Sequence, residues 1–220
     1  MWRTGSAPLM IAPVRGRPLN AADTRQRILM TAMELFWEKG YLSTSVADIL
    51  SRSQVHSGSL YHFFPGKQDV LVGVLELYRD GIEEMLLAPN WEGVDDPIDK
   101  IFALLGGYRT HLIVTDCTYG CPIGSLALEI HEPDPVVRDL MAANFSNWST
   151  AIAGCFDVAA DRLPKDADSK ALGEFVLTVM EGAVMQARTY RDIGYFDRNI
   201  AVLRDYITTL MATAKDDSFA

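Results

Sequence analysis

Gln54, His56, Ser57, Ser59, Tyr61 and His62 crowd one short stretch of the chain, and each carries a hydrogen-bonding side chain. Side chains of these types read base edges or phosphate oxygens when a helix carries them into a groove. Other chemistry is thinly represented. Cys117, Cys121 and Cys155 form an odd set, which suits a reducing compartment better than a disulfide framework. Three residues separate Cys117 from Cys121, with His111 upstream. A zinc site wants four ligands at recognisable spacing and a second pair is missing, so no metal and no cofactor are expected. Cys121 stands where a helix could begin, and a thiolate would be stabilised there. The sequence has no Gly-rich phosphate loop, nucleophile elbow or His-Glu-x-x-His run. The adjacent acids Glu83-Glu84 and Asp95-Asp96 need no more than a solvated surface to explain them. No catalytic residue is expected, and the chain does not read as an enzyme.

The elements that must present the hydrogen-bonding stretch are short. Ser45 can cap a helix whose apolar residues are Ala47, Ile49 and Leu50, with Asp48 completing a capping-box-like pair. Ser57 or His56 opens a second, in which Leu60 and Phe64 sit one turn apart and leave Tyr61-His62 exposed. The spacing predicts helices near 45–52 and 56–63. Two-turn helices do not stand alone in water, so both must pack on neighbours. One neighbour runs from a cap at Asp23 or Thr24 to a stop at Gly40, burying Ile28, Leu29, Ala32, Leu35 and Phe36. The other is long and starts at Lys67, with Val70, Leu71, Val74, Tyr78, Ile82 and Met85 on one face. The major groove of DNA accepts a short helix presented this way. Gln54, in the turn, should resist the left-handed geometry that glycine adopts freely. Residues 89–97 interrupt the pattern. Beyond them the periodicity gives helices near 97–116, 122–131, 134–162, 168–191 and 195–214, with Asp134 a cap and Pro135 the first helical residue. The fold class is all-α.

The chain's 220 residues and 49% hydrophobic content suit one or two domains with a real core, and 22% charged residues mark an ordinary soluble protein. No apolar run approaches the roughly 18 residues of a membrane span. The stretch at 7–12 is short for a signal peptide. No membrane partner is expected, and a cytoplasmic location is. A net charge of −9 argues against a nucleic-acid partner until its distribution is considered. Residues 1–67 hold eight basic and four acidic residues, a net +4, which leaves −13 on the rest. A basic end on an acidic body favours end-on docking to DNA. Residues 1–22 read as a flexible arm in which Arg15 and Arg17 flank Gly16 ahead of Pro18. Such a strand fits a narrow A·T minor groove; a solvated tail is the alternative.

Thr24-Arg25-Gln26-Arg27-Ile28-Leu29, Ala32-Met33-Glu34-Leu35-Phe36 and Lys39-Gly40-Tyr41 resemble the opening of the TetR/AcrR family of transcriptional regulators. The likeness continues through Thr44-Ser45-Val46-Ala47-Asp48-Ile49, then Gly58-Ser59-Leu60-Tyr61-His62-Phe63-Phe64 and Lys67, and covers residues 24–75 in order and spacing. Gly120-Cys121-Pro122-Ile123-Gly124-Ser125-Leu126-Ala127-Leu128-Glu129 is similar to a segment in some members' ligand-binding domains. The resemblance implies a three-helix DNA-binding domain with a helix-turn-helix over 23–67. It also implies a C-terminal helical effector-binding and dimerisation domain over 68–214, with 215–220 a tail. Tyr61, Lys67 and the capping end at Thr44-Ser45 would touch phosphate, and His56, Ser57, Ser59 and His62 would share the DNA face. The chain departs from the family's usual wording at Gln54, His56 and Ser57.

The same resemblance implies an effector cavity in the helical body, with Tyr78, Tyr108, His111, Cys121, Glu129, Trp148, Glu181 and Met185 as its candidates. Arg109 and Gln186 are further polar groups there. An unpaired buried Glu129 or Glu181 would be costly, so each is exposed, paired or waiting for a ligand. Leu172, Phe175, Val176, Val179, Met180, Ala183, Val184 and Ala187 cover more than one face of their helix. Ile200, Leu203, Tyr206, Ile207 and Leu210 do likewise in the last. Pairing both helices with symmetry mates would give an isologous homodimer interface. The expected protein is a homodimeric, ligand-responsive regulator that binds double-stranded DNA. As a repressor it would leave a palindromic operator when a small, mainly apolar effector binds. One alternative senses electrophiles or oxidants through Cys121. Another is an all-α small-molecule-binding protein or enzyme without DNA binding, supported by the unusual turn at Gln54.

Overall fold

The computed structural model describes residues 21–217, and every regular element among them is helical. In chain order these are α1 (Ala21–Lys39), α2 (Val46–Ser53), α3 (Ser57–Phe63), α4 (Lys67–Asp80), α5 (Ala88–Trp91), α6 (Pro97–Val114), α7 (Pro122–Glu129), α8 (Pro135–Val158), α9 (Ser169–Tyr190) and α10 (Gly194–Asp217). A π-helical turn, Glu83–Leu87, precedes α5. No described helix is long and apolar enough to cross a membrane.

Two compact units emerge. One holds α1–α4 together with residues 121–144, which supply α7 and the start of α8. Ile28, Leu29, Ile49, Leu60, Val70, Val74 and Leu75 are fully buried there. α1 and α4 cross closely at Gly73, where a β-carbon would lie 2.7 Å from Leu29 Cδ2. Asn144 Nδ2 donates to the carbonyls of Leu75 and Leu140, tying α8 to α4. The other unit holds α5, α6, the rest of α8, α9 and α10 around Ile101, Leu104, Ile152, Phe156, Val176, Met180 and Phe196. Asp96 caps α6 by accepting from Ile98 N and Asp99 N, with Pro97 at the first helical position. Arg109 grips Asp197 of α10 with two N–H···O bonds, at 2.7 and 3.0 Å.

Several expected boundaries move. α1 begins at Ala21, so Asp23 lies in its first turn and is no cap. Asp134 does start α8, accepting from Val136 N at 2.9 Å, but α8 ends at Val158 and a separate 3₁₀ turn covers Ala160–Arg162. The long helix expected from Lys67 through Met85 breaks at Gly81. Pro89 explains the wide turn before it. A proline cannot donate to the carbonyl four residues back, and the chain answers with i−5 bonding, Ala88 N to Glu83 O. The helix thus runs through Pro89 to Trp91 where the pattern had suggested a break.

Candidate nucleic-acid interface and helical-body site

Ser45 and Asp48 form a full capping box at the start of α2. Asp48 N donates to Ser45 Oγ at 3.1 Å, and Ser45 N donates to Asp48 Oδ2 at 2.8 Å. These Ser45 hydrogen bonds, with Lys39 behind them, pull the Asp48 carboxyl down to about 2. α2 ends at Gln54 in the left-handed region (φ 54, ψ 36), so the glycine-like turn forms without glycine. Burial of Ile49, Val55 and Leu60 around the turn outweighs the cost of positive φ. With the turn intact, the support for a chain that has lost DNA binding disappears.

His56 is the extended N-cap of α3, and its imidazole makes no capping bond. His56, Ser57, Tyr61 and His62 are exposed, Ser59 is half-buried, and Leu60 and Phe64 anchor the inner face. A β-carbon at Gly58 would meet nothing within 4 Å. The outward face of α3 is therefore open and polar, the geometry a groove-reading helix needs.

Three expected phosphate contacts look different in the fold. Thr44 is 1% exposed, and its hydroxyl donates to Gly40 O at 2.7 Å and Leu35 O at 3.3 Å. Its side chain is turned inward, away from any phosphate. The Ser45 hydroxyl and amide are both engaged with Asp48, whose charge already occupies the N-terminus of α2. Lys67 Nζ donates to Tyr41 O and Thr44 O, both at 2.9 Å, and sits 4.3 Å over the Tyr41 ring. Two of its three N–H groups thus clamp the α1–α2 loop. Arg15 and Arg17 lie outside the described residues. So do three of the eight basic residues behind the +4; residues 23–67 hold five basic against four acidic. Among those five, Lys39 pairs with Asp48 and Arg52 with Glu38.

The effector candidates divide between the units. In the helical body, Tyr108 and Trp148 meet edge to face at 6.5 Å, 8% and 4% exposed. Trp148 Nε1 is buried without a hydrogen-bond partner. His111 lies one turn beyond Tyr108, and burial lowers its pKa, keeping the ring neutral near pH 7. Glu181 is half-buried on α9. Met185 is 49% exposed and faces outward with Phe175, so it does not belong to a buried cavity. Helical counting explains this: Met180, Ala183, Val184 and Ala187 take the inner face of α9. Tyr78 and Cys121 lie in the other unit, where burial raises the Tyr78 phenol and the nearby Cys121 adds to it. Glu129 is there too, and accepts from Tyr41 N and Leu42 N at 2.8 and 2.7 Å. Its carboxylate is paired rather than waiting for a ligand.

All three cysteines are free and buried. Burial raises the Cys155 thiol, and burial with Asp116 raises Cys117, which disfavours thiolate at either. An open groove of about 380 Å³, lined by Phe102, Leu105, Arg109, Phe196, Ile200 and Arg204, runs between α6 and α10. Arg109 is among the polar candidates of the helical body, but residue spacing alone does not bring it beside Phe102, Phe196 and Arg204, because the walls come from distant helices.

A capped short helix, a left-handed turn and a second short helix with an open polar face define a helix-turn-helix DNA-binding protein. Residues 28–74 match the family described as bacterial regulatory proteins, tetR family, and residues 97–201 match the transcriptional regulator LmrA/YxaF-like C-terminal domain. The chain belongs to the TetR family of transcriptional regulators. It is 29% identical to an HTH-type transcriptional regulator of Mycobacterium tuberculosis, over 79% of this chain and 88% of that one. It is 23% identical to the HTH-type transcriptional repressor DhaR of a Mycobacterium species, over 81% and 89%. A TetR-family regulator structure from Agrobacterium tumefaciens superposes with a TM-score of 0.72 at 26% identity, covering 87% of this chain and 99% of that one.

Proposed function

We propose that this regulator is a homodimeric repressor whose two α3 helices read a palindromic operator, and that a small, mainly apolar effector in the helical body releases it. The open face of α3, with His56, Ser57, Tyr61 and His62 exposed over a buried Leu60, carries the DNA half of the proposal. Named repressors among the relatives support the sign of the response. Dimerisation is supported by an outward apolar face on α9 and α10: Phe175, Met185, Val202 and Tyr206 are 44%, 49%, 69% and 45% exposed. Gly182 shares the α9 part of that face, with open space where a β-carbon would stand, which permits a close helix approach.

For the effector, the Tyr108–Trp148 pair supplies an aromatic wall, and the partnerless Trp148 Nε1 supplies a donor. A buried N–H without a partner costs about 1–3 kcal/mol. A ligand carrying a carbonyl or ether oxygen on an apolar frame would recover that cost. Operator release needs differential affinity for the DNA-incompetent state, and DNA and effector must then weaken each other equally. The test is a fluorescence-anisotropy titration of operator release by a panel of apolar ketones, quinones and esters, on wild type and Trp148→Phe. An effector that releases wild type should release Trp148→Phe roughly tenfold less well, in keeping with one lost hydrogen bond. Equal potency on both proteins would remove Trp148 from the site.

A further inference from the structure

Just past the end of α1, Gly40 turns the chain with φ +85, and the two amides that follow, Tyr41 and Leu42, open toward the same point. Successive N–H groups at such a reversal make a concavity that binds anions. Here the anion comes from the chain itself, 88 residues from Tyr41: the two oxygens of the Glu129 carboxylate take one amide each. The fit is close enough that a β-carbon on Gly40 would stand 2.7 Å from Glu129 Oε1. Lys67 and Thr44 hold three carbonyls of the same loop, those of Gly40, Tyr41 and Thr44, and the loop leads directly into the Ser45 cap of α2.

Glu129 is the last residue of α7, an eight-residue helix and so roughly 12 Å long. The N-cap of α7 is Cys121, beside the half-buried Tyr78 of α4. This helix lies within the stretch matched to the C-terminal regulatory domain, yet it packs in the unit of α1–α4. We propose that Glu129 is the positioning residue through which the C-terminal domain sets the α1–α2 loop, and through it the α2–α3 pair. A shift of α7 must either carry the loop with it or pull a carboxylate off two backbone amides. The regulatory consequence rests on the DNA-binding function; the contact itself does not.

Hydrogen–deuterium exchange on the full-length protein tests this, comparing wild type with Glu129→Ala and Glu129→Gln. Each is measured alone and with a duplex selected by the wild type from a random-sequence pool. Without DNA, the amides of Tyr41 and Leu42 should exchange roughly 10- to 100-fold faster in Glu129→Ala, as expected for loss of a charged acceptor. The interior amides of α1 should stay at wild-type rates, and Glu129→Gln, with one acceptor left, should fall between. With the duplex, α3 and α7 should both gain protection in the wild type, whereas only α3 should gain it in Glu129→Ala. Unchanged exchange at Tyr41 and Leu42 would overturn the proposal, as would a gain at α7 that survives in Glu129→Ala. If Glu129→Ala loses protection throughout, the isosteric Glu129→Gln decides on the same two criteria. A wild type that selects no duplex contradicts the DNA-binding function, and exchange at Tyr41 and Leu42 then still decides the contact.

Discussion

Val202 of α10 and Val158 of α8 are 69% and 74% exposed in the protomer. An aspartate at either position should therefore leave protomer stability within about 0.5 kcal/mol of wild type. Their neighbours differ. Val202 shares an outward face with Tyr206, whose ring meets Phe175 of α9 edge-on at 5.6 Å. If α9 and α10 pair with their two-fold mates, Val202 is buried in the dimer. Losing that burial costs about 1 kcal/mol per copy. An unpaired carboxylate in the interface adds about 2 kcal/mol per copy. The two-fold axis counts both twice, so Val202→Asp should weaken the dimer by about 6 kcal/mol, or roughly 10⁴-fold in Kd. Sedimentation velocity at micromolar concentration should show wild type and Val158→Asp as dimers and Val202→Asp as monomer. Val202→Asp sedimenting as a dimer alongside Val158→Asp would refute the assignment of this face.

Other consequences are independent of the interface. Gln54→Gly should hold or raise stability by up to about 1 kcal/mol, whereas β-branched Gln54→Val should lower it by about 1–2 kcal/mol, read from urea midpoints. The reverse order would mean that the turn is not left-handed. Thr44→Val removes a buried hydroxyl from two carbonyls and should cost about 1–2 kcal/mol; operator affinity measured on folded protein should barely change. Asp48 has a depressed folded pKa, so its contribution is present above the usual carboxylate value near 3.8 and is lost as pH falls toward 2. Ser45→Ala should remove that acid limb from the melting curve. His111 acts with the same sign at higher pH: with its folded pKa held below 6.5 by burial, the unfolded chain takes up the proton first, and stability falls as pH drops through 6.5. His111→Gln should flatten that slope, and an unchanged slope would place the ring in solvent.

The helix-turn-helix was legible because its signals are local. Ser45 and Asp48 are three residues apart, and the Leu60 and Phe64 spacing fixes the inner face of α3. Gln54 misled because a preference for glycine at positive φ is worth only about 1–2 kcal/mol, and the surrounding packing is worth more. Thr44, Lys67 and Glu129 are not placed by their types alone, because residue type shows what a side chain can bond, not which way it turns. Thr44 finds a carbonyl four residues back, Lys67 one 26 residues away, and Glu129 an amide 88 residues away. Only the first of these lies within reach of local pattern. On the last helix the apolar residues do cover two faces, Leu203 and Ile207 inward and Tyr206 outward. Spacing alone does not separate them: Leu203 is 2% exposed in the protomer core, whereas its neighbour Val202, absent from the apolar stripe, is 69% exposed.

The central claim, sequence-specific DNA reading by α3, is tested most directly by selecting duplexes from a random pool with the full-length protein. His56→Ala and Ser57→Ala are then carried through the same selection. The account predicts a pseudo-palindromic site for the wild type, with half-sites roughly 10 base pairs or a multiple apart. It also predicts a changed base preference at matching positions of both half-sites in at least one variant. Recovery of only non-specific, salt-labile binding from the wild type would contradict it.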